Sequence, residues 1–480
     1  MKESLKRIKE EEYSEIKGLD PSFFELNRKN YLQNLKMRFV HLKLNSIIVF
    51  QGGDLVPKYD SDTNYYYFDQ ESCFYYLTGV REPGMKFVLD VQTGDATLFY
   101  QPEPEEYQAW MTIPTREQIQ EKYKIRTLLM SDLNSFIQQR NMEKIYIMEG
   151  INPNSGNPVL SAELDFKGDL AYLNERICHD QYIYIVLCDT RQVKNEKEKD
   201  LLRYIAKISN DAHRELMKSI KPGMNERDME NIFCQYLRNK YYTRFWAYNC
   251  ICGSGPNAAT LHYDVNKRTM EDGDLFLTDM GIRFLGYVSD ITITIPVNGK
   301  FTEKQKAIYD IVLKANRDCI ASMKPNVTKI NDLNVLSKKI ILEGLQKIGI
   351  IKEGMSIDEM YNAGLWRTFM PHSLGHLVGL DVHDVGRNVP YKSSGYLENG
   401  TFFTVEPGIY FIDFMMDKAE ADLNLVKYLN VEKLEEYRGF GGVRIEDDVL
   451  IHEDHVESLQ KDLPRTTEEI ENFMKTNKSN

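Results

Sequence analysis

The sequence predicts an α+β protein in two parts, an N-terminal α/β domain over residues 1–188 and a C-terminal domain over 197–480 joined by a linker at 189–196. Three observations carry this reading. Residues 1–188 alternate short β-rich runs (46–51, 87–90, 96–100) with helical stretches at 130–140 and 170–178, broken by Gly, Pro and Asp turns. From Asp189 the chain turns polar and charged, which marks a boundary. Beyond it, two strand-rich stretches, 247–297 and 402–452, are each preceded by helices, which suggests two αβ halves around one curved sheet.

The individual elements follow from spacing. Leu201, Leu202, Ile205, Ile208, Ala212 and Leu216 recur at helical period and define the first helix of the C-terminal part. Lys221, Pro222 and Gly223 end it, and Asn225 is placed to cap the next. Two further helices are expected near 303–323 and 331–348. The polar tail after Pro464 reads as a solvated helix or frayed end.

Composition narrows the function. A chain of 480 residues is too long for one core, and its net charge of −12 argues against nucleic acid or an anionic membrane as partner. The seven cysteines are odd in number and scattered; Cys250 and Cys252, the one close pair, read as buried thiols. A reducing compartment is expected. The first 20 residues are charged throughout, without an apolar core, and no membrane span is visible, so the cytoplasm is the expected location.

The chemistry begins at Asp279 and Asp290. Each lies in an apolar run, and a turn near 284–286 would fold the runs into a hairpin that brings the two carboxylates together. Two ionised carboxylates inside a sheet need a cation between them; the alternative is one exposed and one capping aspartate. Next, His372, His376 and His383, three of nine histidines, fall within one glycine-flanked segment, and neutral imidazole is a good ligand for Mn, Co or Zn. Glu406 and Glu446 then sit in β-like runs, where an uncoordinated glutamate is disfavoured. Arg444, two residues from Glu446, could be its salt-bridge partner instead. Taken together, four carboxylates and one imidazole fit a two-metal site with oxygen-rich ligation, which favours Mn2+ over Co2+ or Zn2+.

These motifs in this order resemble the pita-bread metallopeptidases: methionine aminopeptidase, aminopeptidase P and prolidase. The resemblance is closest to eukaryotic-type prolidase, through Phe50-Gln-Gly-Gly53, Asp69-Gln-Glu-Ser72, Glu82-Pro-Gly84, Cys252-Gly-Ser-Gly255 with Leu261-His262-Tyr263, the 370–384 stretch, the insertion 412–437 and the run Arg438 to Glu446. It implies a creatinase/aminopeptidase-like pita-bread fold for the C-terminal domain. It also implies two divalent ions per subunit, with Asp290 and Glu446 bridging them. Asp279 would hold one ion, and His376 and Glu406 the other.

The same resemblance implies hydrolysis of the bond before proline in Xaa-Pro dipeptides by a metal-bridging hydroxide. Glu406 would accept the proton, His262 and His383 would act at the scissile bond, and His372 and Arg444 would lie on the substrate side. Trp110 resembles a position that reaches the neighbouring subunit's site in prolidase homodimers; a surface tryptophan is the alternative. The loop 386–400 is shorter than in prolidases and lacks the arginine that clasps the substrate's C-terminal carboxylate, so Lys392 or Arg387 is expected in its place. The short loop is more like aminopeptidase P, which acts on longer peptides and is the second reading. A non-catalytic pita-bread binding module is the third.

Overall fold

Apolar runs of four to six residues in the first part pair into one sheet, as their β-branched and aromatic content dictates. The computed structural model describes residues 16, 19–61, 63–64, 68–386 and 395–477. These divide into two compact units that meet in sequence at Lys197 and Glu198.

The first unit carries β1 (Ser46–Gln51), β2 (Lys86–Asp90), β3 (Ala96–Tyr100), β4 (Arg126–Leu129), β5 (Lys144–Met148) and β6 (Ile177–Asp180), in spatial order β4-β3-β2-β1-β5-β6. Ile47, Val49, Val88, Phe99, Ile145 and Ile147 form its core with Leu133, Phe136 and Ile137, which lie on one face of the helix Leu133–Arg140. Two expectations are corrected here. The stretch 170–178 is not an α-helix: a 3-10 helix, Gly168–Arg176, gives way to β6, because Ile177 and Cys178 pair in parallel with Ile145 and Tyr146. The expected linker 189–196 is shorter, because residues 189–192 are helical. They complete the helix Gln181–Gln192, where buried Asp189 meets Arg38 at 2.5 Å.

The helix Glu196–Ser219, all but its first two residues in the second unit, buries all six residues that define its apolar stripe. Asn225 caps the helix Glu226–Tyr241 by accepting from the Arg227 N–H at 3.0 Å. Helices Glu303–Ser322 and Ile330–Lys347 stand where expected. The tail forms a helix, Thr467–Thr476, whose outer face is exposed at Glu468, Glu469 and Lys475 while Ile470 and Met474 are buried.

The strands are β7 (Phe245–Trp246), β8 (Ile251–Ser254), β9 (Leu275–Asp279), β10 (Ile282–Phe284), β11 (Tyr287–Val288), β12 (Thr292–Pro296), β13 (Phe402–Val405), β14 (Gly408–Tyr410), β15 (Gly442–Arg444), β16 (Asp447–Ile451) and β17 (Val456–Ser458). They form four short ladders, β11-β10-β7, β12-β9-β8, β13-β16-β17 and β14-β15, where one curved sheet was expected. Breaks at Asp290, Glu406 and Glu446 interrupt the pairing. The two halves are nevertheless joined, since the Glu446 N–H donates to the Thr292 carbonyl at 3.1 Å. The expected hairpin is present: β10 and β11 turn through Leu285 and Gly286, both at positive φ, a turn whose twist suits antiparallel strands. Among the described residues no helix is long and apolar enough to cross a membrane.

Candidate metal centre

The four carboxylates stand at strand ends. Asp279 closes β9, Asp290 lies between β11 and β12, Glu406 follows β13, and Glu446 lies between β15 and β16. The expectation that the glutamates sit within strands is thus corrected. Inside a ladder side chains must alternate between faces. At a break that constraint is lifted, so acids from different strands can be aimed into one space.

The imidazole is placed by backbone. The His376 N–H donates to Thr404 Oγ1 at 3.0 Å, and the Thr404 N–H donates back to the His376 carbonyl at 2.9 Å. So close an approach requires glycine before it: a Cβ on Gly375 would stand 1.9 Å from the Thr404 carbonyl oxygen. His376 Nδ1 lies 3.0 Å from the Leu377 carbonyl, which can only accept, so Nδ1 carries the proton. Nε2 is left to face Asp290 at 3.5 Å and Glu406 at 3.7 Å.

Ligand atoms of Asp290, His376 and Glu446 all lie within 4.8 Å of one another. The other two acids attach to this cluster. The Tyr248 hydroxyl lies 2.6 Å from a carboxylate oxygen of Asp279 and 2.6 Å from one of Asp290, while Glu406 is reached through His376. Arg444 does not pair with Glu446. Its Nη2 donates to Asp279 at 2.8 Å, its Nε to Thr292 Oγ1 at 3.1 Å, and Thr292 Oγ1 in turn donates to Glu446 at 2.7 Å.

The electrostatics are those of crowded, desolvated anions. Burial raises Glu446 well above the usual carboxylate range, and Asp290, Glu406 and Asp279 raise it further. Burial also pushes Glu406 up to about 8, against the pull of His376 and Arg444. Asp279 is raised by burial and by Asp290, although Arg444 opposes this. For Asp290, burial is outweighed by its hydrogen bond to His376 and the charge there, so its carboxyl is lowered. Burial would depress His376, but Asp290 and Glu406 lift it to about 9. A hard, oxygen-rich donor set under this mutual repulsion fits divalent cations.

Residues 200–453 match the metallopeptidase family M24, and residues 24–146 match the aminopeptidase P N-terminal domain. The chain belongs to metallopeptidase family M24. Among curated relatives, the Xaa-Pro dipeptidase of Rattus norvegicus is 41% identical over 474 residues, covering 94% of this chain and 93% of the relative. Among solved structures, zinc-substituted Escherichia coli aminopeptidase P in complex with product aligns at a TM-score of 0.77 and 29% identity, over 94% of this chain and 99% of that one. Aminopeptidase PepP of Pseudomonas aeruginosa aligns at 0.79 and 28%, over 96% and 99%. The pita-bread fold is therefore the fold of the catalytic part, and M24 membership implies divalent metal ions.

Around the acids of this M24 peptidase, the His383 ring lies 4.2 Å from that of His376, and its imidazole is pushed down to about 4 by desolvation and by His376. His372 Nδ1 lies 2.7 Å from the Ser373 carbonyl and 3.9 Å from Glu406, and Nε2 lies 3.0 Å from the Tyr410 hydroxyl. Burial and Arg444 push His372 down to about 3, so it is neutral at pH 7. His262 is exposed and lies within electrostatic range of both His372 and His383. Trp110 belongs to the first unit, is 78% exposed and leans on Tyr107. Lys392 and Arg387 lie outside the described residues.

Sequence reasoning missed Tyr248, Tyr410 and Thr292, the hydroxyls that tie the acids, Arg444 and His372 together. With 29 tyrosines in the chain, none announces itself by type. It also passed over Asp448, fully buried, whose carboxylate accepts from the Asp290 N–H at 3.1 Å. Its place two residues beyond Glu446 was the one signal available.

Proposed function

We propose that Asp279, Asp290, His376, Glu406 and Glu446 hold two divalent metal ions and that the enzyme is an Xaa-Pro dipeptidase. The observation that carries the metal reading is the buried convergence of Asp290, His376 and Glu446 within 4.8 Å. The substrate reading is supported by the rat Xaa-Pro dipeptidase, 41% identical across nearly the whole of both chains. Asp290, His376 and Glu446, whose ligand atoms converge, would hold the ions together with Asp279 and Glu406. Mn2+ is the expected metal, with Co2+ or Zn2+ as alternatives.

When bound, such ions supply Lewis acidity and make hydroxide available at neutral pH. The chain's own groups do the rest. Glu406 accepts the proton released on attack. His383, as a neutral imidazole, and His262 hydrogen-bond the oxygen that gains charge and steady the departing proline nitrogen, to which Glu406 passes the proton it has taken up. Arg444 and Tyr248 fix the carboxylates so that no reorganisation is needed during the reaction. A bond before proline is a tertiary amide without an N–H, and this apparatus asks for none.

A peptide is thus the partner, with Lys392 or Arg387 receiving its terminal carboxylate, His372 and Arg444 lining the substrate side, and Trp110 reaching the site of the other subunit in a homodimer. The cytoplasm is the proposed location. The second reading, an Xaa-Pro aminopeptidase acting on longer peptides, is favoured by the short loop 386–400. Metal analysis of the native protein, with Gly-Pro hydrolysis before and after chelation, tests the proposal. About two ions per subunit and chelator-sensitive cleavage are expected. A metal-free protein that cannot be activated by added ions would refute it.

A further inference from the structure

Glu226, the first residue of the helix Glu226–Tyr241, is fully buried yet carries no part of the chemistry described above. Its carboxylate is saturated by donors from one segment. Oε1 accepts from the Ser254 N–H at 2.7 Å, the Ser254 hydroxyl at 2.8 Å and Asn257 Nδ2 at 3.0 Å. Oε2 accepts from the Tyr263 hydroxyl at 2.8 Å and the Arg268 N–H at 2.9 Å. Asn257 also donates to the Tyr263 hydroxyl at 2.9 Å, and Arg268 reaches the Ser254 hydroxyl at 3.0 Å. The donors span 254–268, an arch with His262 near its middle.

The arch has little regular structure of its own beyond the 3-10 turn Gly255–Ala259. On one side of His262, Leu261 packs with Ile251, Ala258, Leu277 and Tyr410; on the other, Tyr263 is tied to Glu226. His262 itself is exposed, which leaves its place to be set by those two neighbours. A carboxylate that accepts five bonds is a stronger anchor than any one side-chain pair, because losing an acceptor strands buried donors.

We infer that Glu226 is a positioning residue for His262, fixing the arch that presents this imidazole to the substrate. The inference rests on the peptidase reading above. In Glu226→Gln the amide oxygen can replace only one carboxylate oxygen. If it takes the Oε1 place, the amide NH2 faces the Arg268 N–H, donor against donor, and the Tyr263 side of the arch is released.

The test is a double-mutant cycle with Glu226→Gln and His262→Ala on metal-loaded enzyme, using Gly-Pro. Glu226→Gln is expected to lower kcat roughly 10- to 100-fold, as displacement of a group by about 1 Å does, with metal content unchanged. In the His262→Ala background the same change should cost less than about 3-fold, since the two act as a unit. Equal losses in both backgrounds, or loss of metal from Glu226→Gln, would overturn the inference. If Glu226→Gln does not fold, Tyr263→Phe removes a single donor and runs the same cycle. Wild-type enzyme that fails to cleave Gly-Pro would refute the dipeptidase reading instead, before any variant is compared.

Discussion

The guanidinium of Arg444 donates to the carboxylate of Asp279 at 2.8 Å, across two strands, and not to Glu446 two residues along the chain. It also donates to the Tyr410 hydroxyl at 3.0 Å. One planar fork therefore holds one acid directly, a second through Thr292, and His372 through Tyr410. Arg444→Lys keeps the charge but loses this geometry. Hydrogen bonds to charged groups contribute about 1.5–3 kcal/mol, so kcat/KM should fall by roughly 10- to 100-fold. Kinetics on metal-saturated enzyme check this; a variant as active as wild type would show that the fork is dispensable.

His376→Ala and Glu446→Ala should abolish hydrolysis while leaving circular dichroism close to wild type, because both side chains project from backbone held by other bonds. Each variant should also retain fewer ions on equilibrium dialysis. Full turnover by either purified variant with Mn2+ present would remove that residue from the site.

Metal binding should release protons at pH 7. In the metal-free protein His376 is raised to about 9 and Glu406 to about 8, so both hold protons at neutral pH that a cation must displace. Apparent affinity should accordingly rise with pH until about 9. Titration calorimetry in buffers of different ionisation enthalpy reads the proton count. Heats that do not depend on the buffer would contradict these raised values.

Much of this centre was legible in the sequence. Asp279, Asp290, His376, Glu406 and Glu446 stand out because charged residues in apolar runs are expensive unless something binds them. What could not be read was how they are held. Tyr248, Thr292 and Tyr410 act through contacts as far as 154 residues apart in sequence, and nothing local distinguishes them. In the fold, the helix Glu196–Ser219 was plain from its stripe, whereas Ile177 and Cys178 became strand only because β5 offered them a partner. Asp189 misled for the opposite reason: a charge that marks a boundary in sequence lies inside a helix in the fold, paired with Arg38.

Stability should fall as the pH drops below about 6.5, partly through His213. This buried ring lies 2.9 Å from the Met280 carbonyl, and desolvation lowers it to about 3. The unfolded chain therefore takes up a proton near pH 6.5 that the folded chain refuses until about 3. The resulting loss approaches about 1.4 kcal/mol per pH unit. Urea unfolding of wild type and His213→Gln between pH 7 and 4 should show a shallower slope for the variant. Parallel slopes would exclude His213 as a contributor.

The central claim is best tested by hydrolysis of Gly-Pro beside Gly-Pro-Ala, each with Mn2+ and again after chelation. Cleavage of the dipeptide with the tripeptide left intact, lost on chelation and restored by metal, is the predicted result. Preferential cleavage of the tripeptide would contradict it and make the enzyme an Xaa-Pro aminopeptidase.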